Sequence, residues 1–284
     1  MSRALGRRRV RRRAARRWCL PAAAALIASP AIAADDDGAL ARQLQDPLAG
    51  MHTLQIDADI AFGVGRDERA YAFSVQMVRS AALKDLGLTL IPRVTVPVRG
   101  VPGLTDLPAL GEQRPRGSTE WGLGDIQSQF FFVKTGNANW RLGGGPAFSL
   151  KTRTTEATGG PGWGAGPVLI LAGGFTEDLT AAFVLSNLWS FDGRFNTLLL
   201  EPNLYYNIAS VPGLYVGYLG NVSADWKAAA GDRWTLPLGA TIGRTLALGG
   251  GYGVDLSIGA YSYLARPDGG PDWSLKASFM LVFP

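Results

Sequence analysis

The sequence predicts an all-β fold, a transmembrane antiparallel up-and-down β-barrel of about twelve strands. Three observations predict it. Apolar and polar residues alternate over segments of about ten to thirteen residues, the length that a tilted strand needs to cross a bilayer. No apolar run long enough for a transmembrane helix follows residue 34, although 47% of the chain is hydrophobic. The connections between the segments alternate in length, as expected for a barrel with one looped end and one end of short turns.

The first 33 residues have the three parts of a secretory signal peptide. A cationic stretch from Arg3 to Arg17 precedes an apolar stretch from Trp18 to Ile27, and Ala31-Ile32-Ala33 forms a small-x-small cleavage site. The apolar stretch is interrupted by Pro21 and is too short to span a bilayer. We therefore expect cleavage after Ala33 and export to the outer membrane of a Gram-negative bacterium.

The charge distribution argues against a nucleic-acid partner. The formal net charge is +5, but nine of the 28 Lys and Arg residues lie within the first 17 positions. Without them, the chain has 19 basic and 23 acidic residues, which gives a net charge of −4. The excess of positive charge therefore lies in the leader and does not form a binding surface. The one cysteine, Cys19, also lies in the leader, so no disulfide is expected after cleavage.

Residues 34–52 form a segment of different character. Asp35, Asp36 and Asp37 are followed by leucines at positions 40, 44 and 48. A flexible terminus, a short periplasmic helix and a segment folded into the lumen are all compatible with this pattern, and we favour the first two. The barrel itself is expected to cover residues 53–284.

The strands are assigned from the alternation. The segment from Trp273 to Phe283 shows it well, because every second residue from Trp273 onwards is apolar. Helix is disfavoured, since 37 glycines and 17 prolines are spread through the chain. The predicted strands are 53–62, 68–81, 86–98, 121–133, 138–151, 162–173, 178–190, 196–208, 213–225, 233–246, 252–264 and 272–283. Tryptophans recur at or near their ends, where a bilayer interface is expected.

Several motifs resemble one known family. They are Trp121-Gly-Leu-Gly-Asp-Ile-Gln-Ser-Gln-Phe-Phe-Phe132, Trp189-Ser-Phe191, Ala224-Asp-Trp-Lys227, Gly231-Asp-Arg-Trp-Thr-Leu-Pro-Leu-Gly239, Arg266-Pro-Asp-Gly-Gly-Pro-Asp-Trp273 and the ending Phe283-Pro284. Together they resemble the MetA-pathway of phenol degradation family over residues 45–284. The resemblance implies an outer-membrane barrel that moves small, aromatic or otherwise hydrophobic solutes, and it brings no catalytic residues.

The expected partners follow from the barrel. They are outer-membrane lipid and the barrel assembly machinery, which we expect to bind the C-terminal strand ending in Phe283. Pro284 follows this aromatic residue, which departs from the usual aromatic last residue. An enzyme is not expected, because the chain has one histidine, His52, and neither a GxSxG nor an HExxH pattern. For the same reason we expect neither a metal nor a cofactor.

The alternation also predicts which side chains line the lumen. Charged residues there either pair across the interior and rigidify a narrow barrel, or line a solute path and set its charge preference. Tyrosines and amides would suit a weakly polar aromatic solute. The predicted lumen-lining residues are Asp125, Gln127, Gln129, Arg141, Lys151, Glu201, Asn203, Tyr205, Tyr215, Asp225, Asp255, Tyr261 and Lys276. The predicted function is a porin-like passive channel for small solutes, and the alternative is a non-conducting structural or surface-interaction barrel with a plugged lumen.

Overall fold

The computed structural model describes residues 34–65, 67–103, 117–136 and 138–284. The predicted signal peptide lies outside the described residues, so its cleavage stays a prediction. The elements are α1 (Ala34–Gln45), β1 (His52–Val64), β2 (Glu68–Val78), β3 (Ala81–Leu83), β4 (Leu88–Pro102), β5 (Thr119–Leu123), β6 (Ile126–Lys134), β7 (Trp140–Leu150), β8 (Gly164–Gly174), β9 (Leu179–Ser190), β10 (Asn196–Asn207), β11 (Leu214–Leu219), β12 (Val222–Asp225), β13 (Trp234–Gly249), β14 (Tyr252–Ala265) and β15 (Trp273–Phe283).

The strand segments form one closed antiparallel sheet. The pairs β2 with β3, β5 with β6, and β11 with β12 are each one strand with a short interruption, so the described residues form twelve strands. The first and last strands close the barrel, in a register that runs from His52 opposite Phe283 to Phe62 opposite Trp273. Closure leaves no sheet edge unpaired, which removes the aggregation risk of an open edge. The predicted fold class is therefore confirmed.

The structure decides which way the alternating rows face. Alternation alone is symmetric and fits an apolar row on either side of a sheet. Here Leu142, Leu169 and Leu185 are exposed on the outer surface, while their neighbours Val168 and Val184 are buried inside. The barrel therefore carries an apolar outer surface, and its inner rows hold most of the charged side chains of the strands.

The two ends of the barrel differ. Both ends of the described chain, residues 34 and 284, lie with the short turns at one end of the barrel, which we call the termini end; the longer connections lie at the other, the loop end. Exposed tryptophans concentrate at the loop end, while Tyr206, Phe175 and Tyr252 are exposed near the termini end. The tryptophans exposed near the loop end are Trp121, Trp163, Trp189, Trp226, Trp234 and Trp273. The expected aromatic residues at strand ends are therefore present.

The N-terminal segment begins with a short helix, which is one of the forms that the sequence left open, and this helix lies at the mouth of the barrel. Helix α1 packs inside the mouth of the barrel at the termini end, with Ala41 fully buried. The Asp37 Oδ1 atom accepts a hydrogen bond from the Ala247 backbone N–H at 2.7 Å, and Gln45 Nε2 donates to Asn207 Oδ1 at 2.8 Å. These partners lie some 160 or more positions away in sequence, so local composition could not indicate them. No helix in the described residues is long and apolar enough to span a membrane.

Candidate functional site: the barrel lumen

Most of the predicted lumen-lining residues lie on the inner rows. Their inward direction follows from the strand register, because each is paired across the ladder with another inner residue. The predicted residues found there are Gln127, Gln129, Arg141, Glu201, Asn203, Tyr205, Tyr215, Asp225, Asp255, Tyr261 and Lys276.

Asp125 and Lys151 are corrections to the predicted set. Asp125 lies in the interruption between β5 and β6, where it accepts hydrogen bonds from Gly162 N at 2.6 Å and Arg153 Nη1 at 2.9 Å. It anchors the connection between β7 and β8 at the loop end and is itself buried. Lys151 follows β7 by one residue, is about half exposed, and lies 4.0 Å from Glu156. Both residues therefore belong to the loop end: Asp125 because the strand is interrupted at 124–125, and Lys151 because β7 ends at Leu150, one residue earlier than predicted.

One side of the lumen is apolar. We call the inner rows of β6 to β9, together with Ile91 of β4, the apolar wall. Its buried members form one contiguous cluster, onto which Leu48 of the N-terminal segment packs. A side chain at Gly143 would collide with Val133 and Ile170, so small residues are needed for this close packing. The buried members are Ile91, Phe131, Val133, Ala147, Val168, Ile170, Ala172, Ala182, Val184 and Leu188.

The other side is polar. We call the inner rows of β10 to β15, β1 and β2 the polar wall. Near the termini end, Asp255 is buried and accepts hydrogen bonds from Tyr215 Oη at 2.9 Å and Thr245 Oγ1 at 2.7 Å. The rings of Tyr205 and Tyr215 contact each other edge to face, with centroids 5.4 Å apart. This part of the polar wall is a satisfied hydrogen-bond network, as buried polar groups require.

Accessible space lies beside β1, β2 and β15. Lys276 Nζ lies 3.5 Å from Asp59 Oδ2, and the two side chains are 23% and 28% exposed. Asp57 is also partly exposed and accepts hydrogen bonds from Gln55 Nε2 at 2.7 Å and Ser74 Oγ at 3.4 Å. Among the described residues, Asp57 has no ion-pair partner. The accessible stretch of the lumen therefore carries one carboxylate whose charge is not neutralised by a neighbouring cation.

An ion pair crosses the lumen between the two walls. Arg93 of β4 binds Glu201 of β10 through two contacts of 2.6 and 2.9 Å. These strands are five steps apart one way round the barrel and seven the other. Gln129 Oε1 accepts from Arg93 Nε at 2.6 Å, and the guanidinium lies 5.7 Å from the centre of the Phe131 ring. The bridge therefore narrows the passage and covers the packed apolar wall.

The N-terminal segment narrows the termini end. Arg141 of β7 forms an ion pair with Asp46 and donates to the Leu48 carbonyl at 2.8 Å. Thr180 Oγ1 donates to Gln45 Oε1 at 2.7 Å. Since Asp37 is bound to β13, the segment crosses the mouth from β13 to β7. A solute path at this end must pass beside the segment or displace it.

The functional residues that the sequence prediction missed are the partners of those it found. Glu201 pairs with Arg93, Lys276 with Asp59, and Arg141 with Asp46. The inward position of Asp57 and Asp59 could have been found from the alternation of β1. Arg93 is harder to find, because apolar residues occupy both rows of β4 around it. Across the described ranges, no three His, Cys, Asp or Glu residues are grouped to hold a metal ion.

Comparison with known proteins identifies a similar fold. No protein-family model matches the chain, and no curated protein matches it. It is similar to an outer membrane channel from Pseudomonas putida F1, with a TM-score of 0.55 and 14% identity over 84% of this chain and 98% of that one. The NanC porin gives a TM-score of 0.47, with 11% identity over 81% and 99% of the two chains. The CymD monoaromatic hydrocarbon channel gives 0.43, with 11% identity over 84% and 91%. The first of these similarities shows a shared barrel fold.

Proposed function

We propose that this protein is an outer-membrane channel for the passive passage of small solutes. The observation that carries the proposal is the accessible polar stretch inside a closed barrel, where Asp57, Asp59 and Lys276 remain partly exposed. A barrel built only for stability would gain from packing both walls as tightly as the apolar wall. Water and small solutes can enter where the side chains do not fill the lumen.

The outer surface supports a membrane location. It exposes apolar side chains on strand after strand, and a soluble monomer rarely exposes so large an apolar surface. Exposed aromatic residues lie near both ends, as expected at the two interfaces of a bilayer. The predicted signal peptide and the similarity to an outer membrane channel point to the same location.

The solute class is proposed from the inner side chains. Tyr205, Tyr215 and Tyr261 contribute aromatic rings to the polar wall, and the paired residues Gln55 and Gln76 contribute amides. Aromatic rings and amides together suit a small, weakly polar aromatic molecule, which is also what the resemblance to the phenol degradation family implies. The Arg93–Glu201 bridge limits the size of such a solute.

Single-channel recording tests the proposal. Residues 34–284 would be refolded and inserted in a planar bilayer, with heat-modifiable gel migration as the check of folding. We expect discrete conductance steps smaller than those of a sixteen-stranded porin, because the lumen is narrower. Folded barrels that insert without any conductance step would contradict the proposal.

A second candidate function is favoured by the N-terminal segment. Its contacts with β7, β10 and β13 close much of the termini end, as in a plugged structural barrel. The double variant Gln45→Ala/Asp46→Ala removes two of these anchors, and Asp85→Ala in an exposed turn at the same end is the matched control. For a channel, we expect the double variant to raise an existing conductance by about twofold. A silent wild type that conducts only after the double substitution would favour the plugged barrel.

A further inference from the structure

Three tryptophans lie on the outer face of the barrel at the loop end of neighbouring strands. Trp189 is the last outer residue of β9, Trp226 directly follows β12, and Trp234 begins β13. All three are exposed, and the rings of Trp226 and Trp234 contact each other edge to face, with centroids 5.9 Å apart. We call these three residues, together with Asn187, Lys227 and Arg233, the tryptophan patch.

Hydrogen bonds hold the patch in place. Trp226 Nε1 donates to Asn187 Oδ1 at 2.9 Å, and Asn187 Nδ2 donates to Asn196 Oδ1 at 2.9 Å. Asn187 lies on the outer row of β9, between the exposed residues Leu185 and Trp189. Because the indole N–H is bound to a side chain on β9, the Trp226 ring has a fixed orientation on the outer face. The patch is therefore a formed surface before any ligand reaches it.

The two cations of the patch have no carboxylate partner. The Arg233 guanidinium lies 5.6 Å from the centre of the Trp226 ring, as in a cation–π contact. Arg233 Nε is buried without a hydrogen-bond partner, and Lys227 is exposed. Across the described ranges, neither residue forms an ion pair. Other arginines at the loop end are paired with aspartates, namely Arg153, Arg194 and Arg266.

The nearest acidic residues in sequence are already engaged. Asp225 lies opposite Arg233, where the Asp225 N–H donates to the Arg233 carbonyl, but its Oδ1 atom accepts the Lys227 N–H at 2.9 Å. Asp232 Oδ1 accepts the Asp268 N–H at 2.8 Å. The two cations therefore keep donors that an anion from outside the chain can use.

The chemistry of the patch changes along the barrel axis. On β13, Leu236 and Leu238 follow Trp234 towards the middle of the barrel, and both are exposed. From the middle outwards, the order is leucine, tryptophan and then cation. The same order is found in a phosphorylated glycolipid, from its acyl chains through its sugar rings to its phosphates. In an outer-membrane barrel, the end with the longer connections faces the outside.

We propose that the tryptophan patch binds a phosphorylated glycolipid of the outer leaflet of the outer membrane. Arg233 and Lys227 bind its phosphate through charge-assisted hydrogen bonds. The exposed indole faces offer an apolar surface to its sugar rings, and three indoles in one patch favour sugars over the small headgroup of a phospholipid. The inference rests on the membrane location and goes beyond the proposed channel function, since it holds whether or not the barrel conducts.

Native mass spectrometry tests the site. The barrel would be purified from outer membranes and exchanged into detergent micelles without added lipid. The probes are lipid A with two phosphates and the same lipid after removal of its phosphates. We expect the wild type to bind the phosphorylated lipid about fivefold more tightly or better. Equal binding of the two lipids would overturn the proposal.

A pair of double variants locates the site on the barrel. Lys227→Gln/Arg233→Gln removes both cations of the patch, and Arg79→Gln/Lys84→Gln is the matched control, because it removes two exposed cations at the termini end. We expect only the patch variant to lose the preference for the phosphorylated lipid. An unchanged preference in the patch variant would overturn the proposal.

Competition separates the glycolipid from free phosphate. Inorganic phosphate in large excess is expected to leave the lipid bound, because it cannot use the tryptophans or the leucines. Its displacement of the lipid would reduce the patch to a simple phosphate site and would contradict the proposal.

A single substitution tests the aromatic part of the patch. Trp226→Leu removes one indole and its hydrogen bond to Asn187, and Trp121→Leu removes an exposed tryptophan on the other side of the barrel. We expect binding to weaken about threefold for Trp226→Leu alone, with heat-modifiable gel migration as the check of folding. The same affinity for both folded variants would count against a sugar platform and overturn the assignment to a glycolipid.

Discussion

The two walls of the lumen share the same strand geometry but differ in packing and in polarity. The apolar wall buries Val168, Ile170 and Val184 almost completely, and the few polar side chains on its inner rows, such as Ser186 and Gln129, are buried as well. The polar wall keeps Asp57, Asp59 and Lys276 partly exposed and organises the rest through hydrogen bonds. The difference teaches that a barrel interior need not be uniform: one half acts as a packed core, which leaves the other half available for solutes.

The largest expected effect comes from placing a charge in the apolar wall. Val168→Asp buries a carboxylate without a partner, and we expect it to lower the free energy of unfolding by about 3 kcal/mol or more. Gln76→Asp makes the same carboxylate in the polar wall, at a partly exposed position, and is expected to cost less than about 1 kcal/mol. Urea unfolding of both refolded barrels in detergent measures the difference. Similar losses for the two variants would show that the walls do not differ in packing.

The second largest effect is expected from breaking the ion pair between Arg93 and Glu201, which lies at the boundary of the two walls. Glu201→Gln leaves the Arg93 guanidinium, which is mostly buried, without its anion, and we expect a loss of about 2 kcal/mol in unfolding free energy. A double-mutant cycle with Arg93→Gln isolates the interaction from other effects of each substitution. We also expect the double variant to conduct more than the wild type, because the bridge crosses the lumen. A coupling energy near zero would contradict a structural role for the bridge.

A smaller effect, on ion selectivity, is expected from removing the charge of Asp57 in the polar wall. Asp57→Asn removes one negative charge from the accessible stretch while leaving a side chain of similar shape. Because a lumen charge attracts ions of opposite sign, we expect the cation preference to fall about twofold. Reversal potentials in a salt gradient measure the change, and Ser74→Ala, which removes one hydrogen bond to Asp57 but no charge, is the control. Equal shifts for both variants would rule out a charge effect.

The smallest effect concerns the loop end and lies outside both walls. The Ser190 hydroxyl, followed by the Arg194 backbone N–H and guanidinium, holds the pKa of the Asp192 carboxyl well below its ordinary value. A carboxyl with a lowered pKa contributes its full stabilisation above its unfolded pKa of about 3.9 and loses it as the pH falls through the folded pKa. The measurement is the hydrogen-exchange rate of the Arg194 N–H divided by its intrinsic rate at the same pH. We expect this ratio to rise only in strong acid, and we expect Asp192→Asn to remove this dependence on pH. Exchange in the two walls should not change with Asp192→Asn.

Much of the fold could be predicted because strand alternation is a local property. The predicted strand from 272 to 283 is observed as Trp273–Phe283, and that from 252 to 264 as Tyr252–Ala265. Interruptions within strands were not predicted. Those at 124–125 and 220–221 depend on what lies across the barrel or beside the strand, which the local pattern does not contain.

The lumen was predictable only in part. Alternation places Glu201, Asp255 and Lys276 on the more polar row of their strands, but it gives neither the direction of that row nor the partners of these residues. Arg93 and Glu201 are separated by 108 positions, and Gln45 and Asn207 by 162. The apolar wall was also missed, because strands such as β8 and β9 are apolar on both faces and alternation then carries little information.

By itself, the sequence determined the barrel, the number of its strands and the division of each strand into two alternating rows, since each depends on residue types repeating every second position. The tertiary structure alone decided which row of each strand faces inward, which inner side chains meet and where the N-terminal segment packs. Those features depend on distances across a closed sheet, and closure brings together residues whose separation along the chain carries no signal.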